Sequence, residues 1–213
     1  MATKLGVWNA ALGVLGLRMV TSGQVSSPND EPSRVLNEAY DQAVIFCLEQ
    51  GHWKFASVIE ELTASLTEVP TFGYTNAFAK PANYVRLNRI ATDEYFNSPL
   101  SRFDDRAGFW YAEEDTLYVD YVSKEATELG YYLAGWPSTF AEYVALHLAH
   151  KVSRRLQPDK EDDVEAKAER AKLNALAKDA VLGPTQFLPP GRWSYARSGV
   201  RKPRHSNSSL YGS

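Results

Sequence analysis

Hydrophobic side chains recur at helical spacing toward both ends of the chain and at strand spacing in its middle. Leu5, Trp8, Leu12 and Leu15 fall three or four residues apart, which predicts an amphipathic helix over about residues 3–17. Thr21 to Asn29 is polar, contains Ser, Gly and Pro, and reads as a loop. Asp30-Glu-Pro-Ser33 then has the form of a helix start, a capping side chain followed by Pro in the first turn. Leu36, Tyr40, Ala43 and Cys47 make one stripe and carry this second helix to about Gln50, with Gly51 as its terminator.

In the middle of the chain the period shortens to that of strands. Val69-Pro-Thr-Phe-Gly-Tyr74 and the run Pro81 to Ile90 show Pro/Gly punctuation around short β-branched stretches. Further on, Gly108-Phe-Trp-Tyr-Ala112 and Thr116 to Val122 flank Glu113-Glu114-Asp115. Leu117, Val119 and Tyr121 alternate with Tyr118, Asp120 and Val122, which predicts a β-hairpin with a solvated acidic turn. Helical spacing returns after Trp136-Pro137. Thr139 and Glu142 have the spacing of a capping box, and Phe140, Val144, Leu148 and Val152 repeat every four residues toward Leu156. After the break at Gln157-Pro-Asp, Asp162 to Val181 reads as a last helix with Val164, Ala168, Leu173 and Leu176 as a sparse apolar side.

Helices and strands are therefore segregated, which points to α+β: mainly a helical bundle of about four helices, with a β-hairpin or small-sheet insertion and an extended C-terminal tail. The boundaries are residues 1–183 for the helical body, about 66–125 for the β insertion within it, and 184–213 for the tail. Beyond Gly183-Pro184 the chain is Pro-, Gly- and Ser-rich with isolated aromatics, too little apolar surface to fold alone.

Composition adds two constraints. A 44% hydrophobic chain with a single cysteine, Cys47, can bury a core but forms no intrachain disulfide, and Cys47 sits in an apolar helical stretch as a small filler. At the N-terminus, Lys4 is the one early cation, Asn9 interrupts the apolar run, Arg18 ends it and no cleavage site follows. That is an amphipathic helix rather than a secretory leader, and the reading is of a cytoplasmic protein without a membrane. The formal charge of −3 is unevenly spread: residues 191–213 hold five cations and no acid, leaving 18 basic and 26 acidic side chains, or −8, on the rest. An acidic body with a basic tail is not a general nucleic-acid binder; it suits a tail that reaches an acidic surface on a partner.

The inventory of reactive groups assembles no active site, and the expectation is that the chain is not an enzyme and needs no metal or cofactor. His147 and His150 lie three apart on a helix without a carboxylate or cysteine at ligand spacing. His52 has no nucleophile motif beside it, and His205 lies in the tail. Gly13 and Gly16 lack the Gly-Lys-Ser/Thr of a phosphate loop and are assigned to close helix packing. The acids Asp159, Glu161, Asp162, Asp163 and Glu165 lack the glycine turn of a calcium loop and complement a helix N-terminus. Trp53, Trp110 and Trp136 read as core or interface anchors. In the tail, Trp193, Tyr195 and Tyr211 interleave with Arg192, Arg197, Arg201, Lys202 and Arg204, the residue types that carry binding energy when a segment orders on a partner.

Several segments, in order, resemble a phage family. Gly51-His-Trp-Lys-Phe-Ala56 is similar to the Gly-Trp-x-Phe helix ending of the tail tubular protein A family of short-tailed bacteriophages. Tyr74 to Leu87 resembles its Tyr-rich, Leu-Pro-x-Asp-x-Leu-Arg segment, with Lys80 in place of Leu and Asn83 in place of Asp. Phe140-Ala-Glu-Tyr-Val-Ala-Leu-His-Leu-Ala-His150 is similar to the family's Phe-x-x-Ala-Leu-x-x-x-Leu-Ala helix, and an Ala- and charge-rich helix follows. The resemblance spans roughly residues 7–180 and extends to head-to-tail adaptors of long-tailed phages.

It implies a structural virion protein at the head–tail junction: a homo-oligomeric ring, typically a dodecamer, bound beneath the capsid portal protein and lining a channel through which viral DNA passes without specific binding. It also implies that Arg192, Trp193, Tyr195, Arg197, Arg201, Lys202 and Arg204 dock on the portal. Ala112, Glu113, Glu114 and Asp115 are assigned to the downstream tail or nozzle protein. The competing classes are a non-catalytic helical module that engages an acidic protein through its basic tail, and an enzyme using His52 or the His147/His150 pair.

Overall fold

A computed structural model describes residues 1–181 except 69, 71–72 and 128–129. Among these the fold is α+β, with five α-helices and two three-stranded antiparallel sheets. The helices are α1 (Lys4–Leu15), α2 (Ser22–Ser26), α3 (Glu31–Glu49), α4 (Ser138–Leu156) and α5 (Glu161–Val181). The strands are β1 (Ser57–Thr63), β2 (Asn76–Ala79), β3 (Tyr84–Ala91), β4 (Asp104–Arg106), β5 (Phe109–Ala112) and β6 (Thr116–Ser123). Among the described residues no helix is long and apolar enough to cross a membrane.

α1 is closed at both ends by its own sequence. Thr3 accepts from the Gly6 amide at 3.0 Å, and Gly16 takes φ 69° so that its amide reaches Gly13 and that of Leu17 reaches Leu12. Gly16 is thus a left-handed cap rather than a packing glycine, and a Cβ on Gly13 would meet nothing within 4 Å. The two glycines do not serve close packing, because Trp8, Ala11, Leu12 and Leu15 bury the other face. Lys160 donates to the Leu15 carbonyl at 2.7 Å and so ties the end of α1 to the start of α5. Asn9 holds the returning chain by exchanging hydrogen bonds with the Val20 backbone at 2.8 and 3.1 Å. The expected loop after it contains α2, because Gln24 accepts from the Thr21 amide at 2.8 Å and closes one helical turn.

α4 is the central helix and packs against α1, α3 and α5. Its predicted stripe, Phe140, Val144, Leu148 and Val152, is buried throughout. It starts earlier than the Thr139/Glu142 spacing indicated, because Pro137 takes the cap position and its carbonyl accepts the Ala141 amide at 3.0 Å; no side chain caps it. Asp30 likewise does not cap the α3 backbone, since its carboxylate accepts from Ser33 at 2.5 Å and Gln24 at 3.1 Å. On α5 the buried positions are Val164, Ala168, Ala171, Ala175 and Asp179, whereas Leu173 is 65% exposed. Alanine lets α5 approach α4 closely, so the small residues face inward; Leu176 packs against the core as expected, and Leu173 alone of the expected stripe turns to solvent.

The strands form a second hydrophobic core. Sheet order β1-β6-β3 packs Leu117, Val119, Tyr121 and Ile90 against Phe78, Trp110 and Ala112 of the sheet ordered β2-β5-β4. Two expectations change here. β5 and β6 are not a hairpin: they lie in different sheets, and the hairpin is β4–β5, turning at Gly108 with φ 88°. Alternation fixes which face of a strand is buried but not which strand lies beside it, and β5 and β6 meet face to face across the core. The β region also starts at β1, not near residue 66. Two adjacent glutamates, Glu60 and Glu61, interrupt the alternation that would have marked this strand. The expected strand at Val69–Tyr74 falls partly on residues outside those described; Gly73 takes φ 95° and β2 begins at Asn76.

Gly51 ends α3 by fit rather than by a left-handed turn. A Cβ there would stand 2.6 Å from Leu176 and 2.9 Å from the Trp53 ring, and that ring is fixed by its indole N–H donating to the Cys47 carbonyl at 3.0 Å. Gly51→Ala should therefore lower stability by about 1–3 kcal/mol in urea unfolding. Gly13→Ala, in open space on α1, should raise it by about 0.5–1 kcal/mol in the same assay.

Candidate functional site

The acidic segment assigned from sequence to partner contact lies at the end of the β sandwich away from the helices. Glu113, Glu114 and Asp115 are exposed and carry the chain from β5 to β6 across the two sheets. The Asn76 amide holds this crossing by donating to the Glu114 carbonyl at 2.7 Å and to Asp115 Oδ1 at 3.2 Å, and the Ala64 amide donates to the Asp115 carbonyl at 3.3 Å. Ala112 is not part of that surface. It is 0% exposed in the sandwich core, because it is the last inward-facing residue of β5. Its place beside the glutamates is taken by residues 92–102, whose Thr92, Ser98 and Arg102 line a cleft of about 280 Å³ with Glu113 and Glu114.

Asp93 organises this neighbouring loop. Its carboxylate accepts the Asn97 amide at 3.0 Å and the Ser98 amide at 2.7 Å, which holds its pKa below the usual range for an aspartate. Phe96, at φ 56°, lies 4.2 Å from the Arg89 guanidinium. Glu61, Glu94 and Asp93 together raise the pKa of Tyr118, so negative charge collects around this end of the sandwich. The sequence marked Glu113–Asp115 as a solvated acidic turn, with no local signal that Asp93 and Glu94 would lie near them.

Nearer the helices, a polar network binds three strands that are distant in sequence. Asp120, nearly buried on β6, accepts from Ser57 Oγ at 2.6 Å, Asn88 Nδ2 at 3.0 Å and Arg89 Nε at 2.9 Å. Asn88 Nδ2 also donates to Ser57 Oγ at 2.7 Å, and its Oδ1 faces His52 Nδ1 at 2.5 Å. Arg86 donates to the Glu49 carbonyl at 2.8 Å and approaches His52 Nε2 at 3.4 Å. Ser, His and Asp are thus brought close without forming a nucleophile and base. Ser57 gives its proton to Asp120, while His52 touches Asn88 and Arg86. The arrangement positions strands.

His147 lies flat on Phe46, with ring centres 4.4 Å apart, and its ring centre is 6.4 Å from that of His150. His147 Nε2 and His150 Nδ1 are buried and find no hydrogen-bond partner among the described residues. Burial first, then the charges of Lys151, His150 and Lys172, pushes the His147 pKa down to about 4. Burial likewise pushes the Cys47 thiol up to about 12, the behaviour of a core filler. Among the described residues no group of three or more His, Cys, Asp or Glu is placed to hold a metal ion. Trp53, Trp110 and Trp136 are all buried, as expected of core anchors. Arg192, Trp193, Tyr195, Arg197, Arg201, Lys202 and Arg204 lie outside the described residues.

No protein-family model matches the chain, and no curated protein matches it in sequence.

Asp120→Ala should cost about 2–3 kcal/mol in urea unfolding, since it strands three donors, whereas Arg89→Ala, half exposed, should cost about 1 kcal/mol or less. For His147 the unfolded chain takes up its proton near pH 6.5 and the folded one only near 4. Stability linked to this group is therefore complete above pH 6.5 and falls as pH drops toward 4. Replacing His147 by Phe should remove that part of the slope, read as the Tm difference between pH 7 and pH 5.

Proposed function

We propose that the chain is a structural subunit of an oligomeric ring that joins the capsid portal of a tailed bacteriophage to its tail. The observation that supports this most is the two-ended build. A helical body carries a sandwich whose strands run outward from it, and the far end is exposed and acidic at Glu113, Glu114 and Asp115. A subunit that bridges two partners needs separate surfaces held at a fixed spacing, and β6, running from the tip to the helical core, supplies a rigid one.

In this reading the acidic end meets the downstream tail or nozzle protein. The basic residues Arg192 to Arg204 dock on the portal with Trp193 and Tyr195 as anchors. The helical bodies of about twelve copies surround a channel. The excess of 26 acidic over 18 basic side chains outside residues 191–213 keeps the DNA backbone from adhering as it passes. The role is non-catalytic and needs no cofactor, and its place is the head–tail junction of a virion assembled in the host cytoplasm.

Native mass spectrometry of the chain alone and mixed with the portal protein of the same genome tests the reading. One large complex with a fixed adaptor-to-portal ratio is the expected result, and a monomer that ignores the portal would overturn it. Deleting residues 191–213 should abolish that complex while leaving the thermal transition of the body unchanged.

A further inference from the structure

Every open sheet has edges, and proteins blunt them by shortness, bulges or cover. Three of the four edges here are blunted. β2 and β4 are four and three residues long. β3 is interrupted by irregular register at Tyr84/Arg86 and Leu87/Arg89. Its far end is also covered, with the Leu100 amide donating to the Ile90 carbonyl at 3.0 Å. β1 differs on each count. It runs seven residues in unbroken register from Ser57↔Val122 to Thr63↔Thr116, and its only strand partner among the described residues is β6.

The side chains along this edge select what can join it. On the outward face Ile59 is 59% exposed, an unusual placement for a β-branched apolar residue, and Glu61 follows two positions on, exposed and without an ion pair among the described residues. On the other face Glu60 is held by the Tyr121 hydroxyl at 2.9 Å between Val58 and Leu62. Residues 57–68 contain three glutamates and no cation. A second copy pairing antiparallel through the middle of β1 would set either Glu60 or Glu61, according to the register, against its own counterpart, a like-charge arrangement that destabilises a cross-strand pair. The glutamates guard the edge against self-association and leave it attractive to cations.

We propose that the β1 edge is a strand-addition site for an extended segment of a partner protein. That segment presents an apolar side chain to Ile59 and, two residues along on the same face, a lysine or arginine to Glu61. Backbone hydrogen bonds to the open edge supply affinity, and the Ile59–Glu61 pair supplies selectivity and register. The site does not depend on the ring reading, since any partner with such a segment can use it.

The test is hydrogen exchange of the full 213-residue chain with synthetic heptapeptides in which one face carries a valine and, two positions away, lysine, arginine, serine or glutamate. The cationic peptides at millimolar concentration should slow exchange of the amides of residues 57–63 by about tenfold or more, with serine weaker and glutamate inactive. Glu61→Lys, at an exposed position, should reverse the order so that the glutamate peptide protects. Equal protection by the lysine and glutamate peptides, or none by any of them, would overturn the proposal. So would protection in the free chain: if it rises with protein concentration the occupant is a second copy, and if it is complete and concentration-independent the occupant is this chain itself.

Discussion

The structure depends on β6 being buried on both faces. Its residues Leu117, Val119 and Tyr121 enter the sandwich core, while Val122 enters the helical core, so one strand joins the two. A strand in that position has little room for a charge, yet it carries Asp120. Ser57, Asn88 and Arg89 satisfy that carboxylate, and each comes from a strand beside β6. An unpaired buried carboxylate is strongly disfavoured, so only the register that brings all three donors together is stable. Asp120 therefore selects the alignment of β1 and β3 as well as adding hydrogen bonds.

The helical half is fixed by similar cross-connections. Lys160 holds the end of α1, and Asp179 near the end of α5 accepts the Lys54 amide at 3.2 Å while Lys54 Nζ returns to the Asp179 carbonyl at 3.0 Å. The second contact anchors the end of α5 to the turn that leads into β1. Burial raises the Asp179 pKa against the lowering effect of Lys54. The sandwich is thereby attached to the bundle through β1 as well as through β6.

Charge follows the same division. Several cations of the body are paired with acids: Arg154 with Glu161, Arg155 with Glu31, Arg89 with Asp120 and Lys80 with Asp105. The carboxylates at the far end of the sandwich are solvated instead, with Glu113 and Glu114 exposed beside the loop that Asp93 ties together. Unpaired surface acids contribute little to stability, so the fold itself does not require their concentration at one end.

The sequence by itself determined the four long helices, because their apolar spacing is local and long enough to read: the stripes of α3 and α4 are buried as the pattern required. It also determined the inward residues of β6, the buried cysteine and tryptophans, and an exposed acidic stretch at Glu113–Asp115. Tertiary structure alone decided which strands are neighbours. β5 and β6, adjacent in sequence and each alternating, separate into two sheets because the alternation is equally satisfied by facing strands and by paired ones. It decided that Ala171 and Ala175, and not Leu173, complete the inner side of α5, since interhelical distance is set by both surfaces together. It also decided that Ser57, Asn88 and Asp120, up to 63 residues apart, share one network, for which no local pattern exists. Local spacing records how a segment meets the solvent boundary; which segments meet each other is a property of the assembled core.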